Sequence, residues 1–140
     1  MDLADVMPLA SITRLRLRSL RFTPLLLWRA VRSLRQARRS EGCIMADART
    51  IRGRVFWTRT VWRDAPAMRA FMTGGAHAAA MRRLPYWCDE AAVVHWEQPA
   101  SSELPSWNEA EARMRAEGRT SRVRHPSAAH ARGETVPAQT

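Results

Sequence analysis

The chain has 140 residues, which is typical of one domain, and its formal net charge is +10. All 23 basic residues are arginine. We interpret this charge as a solvated arginine surface, because no zinc finger, recognition helix or aromatic RNA-binding signature accompanies it. The longest apolar run, residues 25–28, is far too short to cross a membrane. Composition therefore disfavours nucleic-acid and membrane partners.

Cysteine usage and the first residues bear on the compartment. Cys43 and Cys88 do not have the spacing of metal ligands, and the first ten residues contain two aspartates but no basic segment of the kind that begins a secretory signal. We therefore expect a cytoplasmic protein with free thiols.

The first half of the chain predicts a strand, a helix and a strand. Residues 1–10 form a loose lead-in. Residues 11–18 alternate, with Leu15 and Leu17 on one face and Arg14, Arg16 and Arg18 on the other. Thr23 is expected to cap a helix that has Pro24 at its first position and ends at Gly42. The apolar positions of that helix are Leu27, Ala30, Val31, Leu34 and Ala37. A short strand follows over residues 43–48.

The second half repeats this order. After a turn at 49–53, residues 54–62 are rich in aromatic and β-branched residues and predict a strand. Asp64 then caps a helix that Gly74-Gly75 interrupts, with a second helical piece over 76–84. Residues 91–98 predict the last strand.

The order β-α-β-β-α-β is the split βαβ pattern of ferredoxin-like α+β folds. Such a sheet has helices on one face only, so we expect its second apolar face to be covered by face-to-face dimerisation that encloses a cavity. The ferredoxin-like domain spans 11–98. A helical extension over 99–118 begins with the cap Ser106, and 119–140 predict a flexible Arg-rich tail, or an arm laid on a partner.

One segment carries a family resemblance. Thr60-Val61-Trp62 ends a strand, Met68-x-x-Phe71 and His77 follow an acidic cap, and Trp87-Cys88-Asp89-Glu90 comes next. This pattern resembles the antibiotic-biosynthesis-monooxygenase superfamily of dimeric α/β barrels, in a branch of unknown function related to spheroidene monooxygenase. The resemblance covers residues 11–98. It implies a cavity between the second helix and the sheet, which binds heme in some relatives and in others a substrate that reacts with oxygen without a cofactor.

The candidate site residues follow from this resemblance and from the pattern around it. Relatives similar to spheroidene monooxygenase keep a histidine at the position of His77, which implies that His77 is an axial ligand for heme iron. The heme-degrading branch places its ligand about one helical turn later, and this chain has Met81 at that position. The break at Gly74-Gly75 lets the second helical piece aim His77 at the cavity, where a neutral imidazole binds a metal or accepts a proton. The alternative for His77 and Met81 is ordinary packing.

The remaining candidates lie on the strands and at the helix ends. His95 would act as a second catalytic base or form a hydrogen bond at the dimer interface. Arg59 would hold heme propionates or a substrate carboxylate. Trp62, Trp87 and Phe71 would form the walls of the substrate site, or belong to the core.

Three functions remain open. The first is a monooxygenase-like oxidoreductase that acts on a small hydrophobic or aromatic metabolite, with heme held by His77. The second is a cofactor-free oxygenase, isomerase or cyclase of the same fold, with His77 or His95 as the base. The third is a non-enzymatic, dimeric binding or accessory protein whose arginine surface contacts an acidic partner.

Overall fold

The computed structural model describes residues 7–138. The strands are β1 (Leu9–Leu17), β2 (Cys43–Ile51), β3 (Val55–Trp62), β4 (Cys88–Glu97) and β5 (Arg119–Thr120). The α-helices are α1 (Thr23–Arg39), α2 (Ala65–Met72), α3 (Gly75–Trp87), α4 (Trp107–Glu117) and α5 (Ala128–Ala131), and a 3-10 turn over Leu20–Phe22 precedes α1.

The five strands form one antiparallel sheet in the order β2-β3-β1-β4-β5. The first four are arranged as in a ferredoxin-like fold, so the predicted α+β fold class is confirmed. Three residues, Arg52 to Arg54, join β2 to β3, and the first two of them, Arg52 and Gly53, have positive φ. This geometry suits the right-handed twist of a hairpin.

Most local signals in the sequence have their expected effect. The side chain of Asp64 accepts a hydrogen bond from the backbone N–H of Ala67 at 2.9 Å, and that of Ser106 accepts one from Glu109 at 3.1 Å, so both caps are confirmed. The helix break at Gly74-Gly75 is confirmed as well. The last strand begins at Cys88, three residues earlier than predicted, because α3 ends directly at the sheet.

The predicted start and inner face of α1 were wrong in detail. Thr23 lies inside the helix, and its hydroxyl donates a hydrogen bond to the carbonyl of Gly53 at 2.8 Å in place of capping. Of the predicted inner positions, Ala37 is buried and Ala30 and Leu34 are half-buried, whereas Leu27 and Val31 are exposed. Leu26 is buried in place of Leu27, so the inner face of the first turns begins one position earlier than predicted.

Helices α1, α2 and α3 cover one face of the sheet, and α4 lies against the other. Ala110 and Met114 of α4 are fully buried against Trp57, Val94 and Ile12 of that second face. The apolar surface that led us to expect face-to-face dimerisation is therefore covered within one chain. Burial of this face does not require a second copy, and the homodimer stays a prediction.

The segment after α4, predicted as a tail, lies along the sheet as far as it is described. Its strand β5 pairs with β4, and Ser127 at the start of α5 donates a hydrogen bond to Glu90 at 2.7 Å. Glu90 is itself buried and ion-paired with Arg14 at 2.9 Å. These polar contacts, together with Val123 and Val136 packed against the core, attach a segment that has no apolar periodicity of its own.

Across residues 7–138, none of the helices has the length and apolar character that a membrane crossing requires.

Candidate functional site

A cavity of about 380 Å³ lies between the sheet and helices α1, α2 and α3. Its volume falls in the range of small-molecule sites, roughly 300–1,000 Å³. The helices supply an apolar roof. The roof residues include Leu26, Ala30, Leu34, Met68, Phe71, Ala80 and Leu84.

The floor of the cavity is polar, although it lies at the centre of the sheet. Ser11 of β1 pairs with Thr60 on one side and with His95 on the other. In the next row, Thr13 pairs with Thr58 and with Val93. All of these side chains line the cavity. A sheet centre packed only for stability would carry branched apolar residues here, so this floor is suited to a ligand that needs hydrogen bonds.

The junction of α2 and α3 positions His77. Gly75 has φ +56°, a left-handed conformation that turns the chain between the two helices. The side chain of Gln36 on α1 forms two hydrogen bonds with this junction. Its amide nitrogen donates to the carbonyl of Gly74 at 2.9 Å, and its oxygen accepts from the backbone N–H of His77 at 2.8 Å. The first turn of α3 is therefore held by a residue of another helix.

The imidazole of His77 lies against Phe71, with a ring-centroid distance of 4.4 Å. Its Nδ1 is 3.3 Å from the carbonyl oxygen of Met72. Since a carbonyl can only accept, Nδ1 carries the proton in this contact and the lone pair of the neutral ring is on Nε2. Burial lowers the pKa of His77, against the opposing effect of the Met72 contact, so the ring is neutral at pH 7.

His95 lines the same cavity from β4. Its Nε2 is buried and has no hydrogen-bond partner within residues 7–138. Burial lowers the pKa of His95, and the positive charge of Arg119 lowers it further. The cavity therefore contains two neutral imidazoles, one on the roof and one on the floor.

Three more predicted residues lie at the cavity. Trp62 is fully buried, stacks on Phe71 with ring centroids 5.0 Å apart, and donates its indole N–H to the hydroxyl of Thr60 at 2.9 Å. Met81 lines the outer part of the cavity and is 44% exposed. The structure thus brings His77, His95, Trp62, Phe71 and Met81 together around one space.

Two predicted residues lie elsewhere. Arg59 is on the opposite face of the sheet, where its guanidinium forms two hydrogen bonds to Asp47, at 2.6 and 2.8 Å, and stacks over Trp107. The hydrogen bond to Asp47 raises the pKa of Arg59. Trp87 is stacked on Phe22, beside the buried cluster that contains Leu17 and Cys88, and it does not line the cavity. Neither side chain is placed to bind a ligand together with His77.

Sequence reasoning did not identify the floor hydroxyls, Gln36 or Arg119. The alternation of Thr58 and Thr60 with Trp57, Arg59 and Val61 contained a signal, because threonines on one face of a central strand are unusual for a packed core. Arg119 gave no signal, since its place beside Val93 depends on the return of the chain as β5.

Metal binding by side chains alone finds no support in the described part of the chain. No group of three or more His, Cys, Asp or Glu residues is arranged to hold an ion there.

Comparison with known proteins identifies both a family and a fold. The model of a family described as "Domain of unknown function (DUF3291)" matches residues 21–126. A solved protein of unknown function from Nitrosomonas europaea is 18% identical, with a TM-score of 0.58 over 73% of this chain and 98% of that one. No curated protein matches the chain at a significant level.

Two further solved structures extend the comparison. A protein from Mycobacterium tuberculosis is 15% identical, with a TM-score of 0.62 over 69% of this chain and 99% of its own. A structure titled as an antibiotic biosynthesis monooxygenase is 13% identical, with a TM-score of 0.58 over 64% and 97%. These structural similarities show a shared fold. At the level of the fold, they confirm the resemblance to the antibiotic-biosynthesis-monooxygenase superfamily.

Proposed function

The chain belongs to the DUF3291 family, and on that premise we propose that its cavity is the active site of a monooxygenase-like oxidoreductase acting on a small hydrophobic or aromatic metabolite. One observation carries the proposal: a largely apolar cavity of about 380 Å³, with hydroxyls on its floor, has a neutral imidazole on each of two opposite walls. A packed core has no need of two such groups. The superfamily fold, shared with a structure titled as a monooxygenase, supports the same reaction class.

In this proposal His77 is the principal catalytic residue. The carbonyl of Met72 holds its Nδ1–H, so the lone pair of Nε2 remains available to a bound ligand. An imidazole kept neutral by burial can accept a proton from a phenol or an activated C–H group, which prepares such a substrate for reaction with oxygen. His95 is the second base, and the hydroxyls of Ser11, Thr13 and Thr58 orient the polar atoms of the substrate.

Heme is the cofactor that the superfamily resemblance implies, and the hydrogen bonding of His77 fits a residue that would hold its iron. Metal-binding histidines ordinarily donate their second ring N–H to a carbonyl or carboxylate, and His77 donates to Met72. His77 would hold the iron through Nε2, and Phe71 and Met81 line the same cavity. Heme, when bound, supplies oxygen activation. Arg59 would not take part, because it lies on the other face of the sheet.

A cofactor-free reaction is the second candidate, and the unpartnered Nε2 of His95 favours it. A base in an apolar site is suited to substrate deprotonation without any metal. Visible absorption of the purified protein, alone and after addition of hemin, separates the two candidates. The heme version predicts a Soret band that weakens in His77→Ala and persists in the control His125→Ala, which changes an exposed histidine outside the cavity.

Oxygen uptake with a panel of phenolic substrates tests the cofactor-free version. We expect turnover in the wild type and in His125→Ala, and loss of most of the rate in His77→Ala or His95→Ala, since general bases typically contribute about 10²–10⁴-fold. Equal rates in all four proteins, together with no hemin-dependent band, would contradict both versions. Ligand binding without oxygen uptake would favour the non-enzymatic binding protein.

A further inference from the structure

The edge of the cavity formed by β5 carries positive charge. Arg119 pairs with Val93, one row from His95, and its side chain lines the cavity beside Ser121. Arg122 lines the same edge. Both arginines are exposed and, like several other exposed arginines, form no ion pair within residues 7–138, whereas Arg14, Arg16 and Arg59 on the sheet are paired with carboxylates. Two unpaired guanidinium groups thus border the polar floor.

The polarity of the cavity follows a gradient. Its roof is apolar, its floor has hydroxyls and His95, and its β5 edge has Arg119 and Arg122. Burial lowers the pKa of His95, and the charge of Arg119 adds to that effect, so both disfavour protonation of the ring. An anionic group between Arg119 and His95 would relieve that repulsion and would leave an attached apolar body under the roof.

From this arrangement we infer that the cavity recognises a hydrophobic carboxylic acid, whose carboxylate is bound by Arg119, with Arg122 beside it, and whose apolar body lies against Phe71 and Trp62. The inference rests on the proposed function in one respect only, namely that both use this cavity. It concerns recognition, so it can be tested by binding alone. In this inference Arg119 determines specificity. It binds the carboxylate that Arg59 was expected to bind.

The test is calorimetric titration with 2-naphthoate and with its neutral analogue 2-naphthamide. The wild type should bind the carboxylate about tenfold or more tightly than the amide, since hydrogen bonds to charged groups are worth more than neutral ones. Arg119→Gln should remove that preference and leave the affinity for the amide unchanged. The matched control is Arg35→Gln, which removes one charge from an exposed position of α1 outside the cavity.

A heme propionate is a second possible source of the same carboxylate chemistry. Hemin and hemin dimethyl ester therefore form a parallel pair, titrated by absorbance. If Arg119→Gln loses the preference for 2-naphthoate over its amide, the bound carboxylate belongs to a substrate. If Arg119→Gln loses only the preference for hemin over its dimethyl ester, the carboxylate is a propionate. Both outcomes support the inference. Equal affinity within both pairs, or a preference unchanged in Arg119→Gln, overturns it and leaves the proposed oxidoreductase standing.

Discussion

The side chain of Gln36 on α1 accepts a hydrogen bond from the backbone N–H of His77 at 2.8 Å, while its amide nitrogen donates to the carbonyl of Gly74 at 2.9 Å. A Cβ added at Gly75 would lie only 3.0 Å from the Gln36 oxygen. The position of His77 therefore depends on a contact between two helices and on a glycine that permits their close approach.

Replacement of Gln36 by alanine tests this relationship. The N–H of His77 and the carbonyl of Gly74 would lose their partner, so we expect the free energy of unfolding to fall by about 1–3 kcal/mol. Because the first turn of α3 would loosen, ligand binding that depends on His77 should weaken as well. Urea denaturation and hemin titration measure the two effects. Arg35→Ala, the exposed neighbour on the same helix, should change neither.

Loss of the buried charge of Glu90 should destabilise the protein strongly. Although burial works in the opposite direction, hydrogen bonds from Ser127 and Arg14 lower the pKa of Glu90, so it is ionised at pH 7. In Glu90→Ala the guanidinium of Arg14, which is 4% exposed, would be left without its anion. We expect a loss of roughly 3–5 kcal/mol in chemical denaturation.

The control for Glu90 is Glu111→Ala on α4, whose pair with Arg115 is exposed. That pair should contribute only about 0.3–0.5 kcal/mol. A loss in Glu90→Ala no larger than that of the control would contradict the role assigned to the buried pair.

Truncation of Met114 tests whether α4 covers the second face of the sheet. Met114 is fully buried against that face, so Met114→Ala should cost about 2–5 kcal/mol. Met81→Ala, at a position 44% exposed, should cost much less. If two copies covered the face instead, the unfolding midpoint would rise with protein concentration. For a face covered by α4, we expect Met114→Ala to cost the same at every protein concentration.

Stability should decrease as the pH falls below about 6.5. Burial lowers the folded-state pKa of His77 and of His95 from 6.5, so the unfolded chain takes up protons first. Each histidine should contribute a slope of at most about 1.4 kcal/mol per pH unit between the two pKa values, and none well above 6.5. Urea midpoints at about pH 8 and about pH 5.5 should differ less in His77→Asn and in His95→Asn. A pH dependence identical in those variants would show that the histidines are already solvated.

The two thiols should differ in reactivity. Burial and the charge of Asp89 raise the pKa of Cys88 to about 12, and its side chain is fully buried. Cys43 is half-buried, and burial raises its pKa as well. Iodoacetamide should therefore add one label to the native protein, slowly and at Cys43, and two labels after denaturation. Native Cys43→Ser should take up none; labelling at Cys88 would contradict its burial.

Local signals in the sequence determined the elements and their order. The alternation along β1, the aromatic and β-branched residues of β3, the cap Asp64 and the break at Gly74-Gly75 predicted β-α-β-β-α-β, and the cap Ser106 predicted α4 after it. These signals act between residues a few positions apart, so they can be read along the chain. The same pattern placed His77, His95, Trp62 and Phe71 in the segments that line the cavity.

Only the tertiary structure decided which face of each strand lines the cavity. Alternation separates Thr58 and Thr60 from Arg59, but it does not say which side the helices cover. That choice depends on long-range packing: α1, α2 and α3 lie on the threonine side, and α4 covers the side of Arg59 and Trp57. Likewise, the return of the chain as β5 brings Arg119 beside Val93, a contact between residues far apart in sequence. The polar floor and its charged edge therefore emerge only when the sheet is assembled.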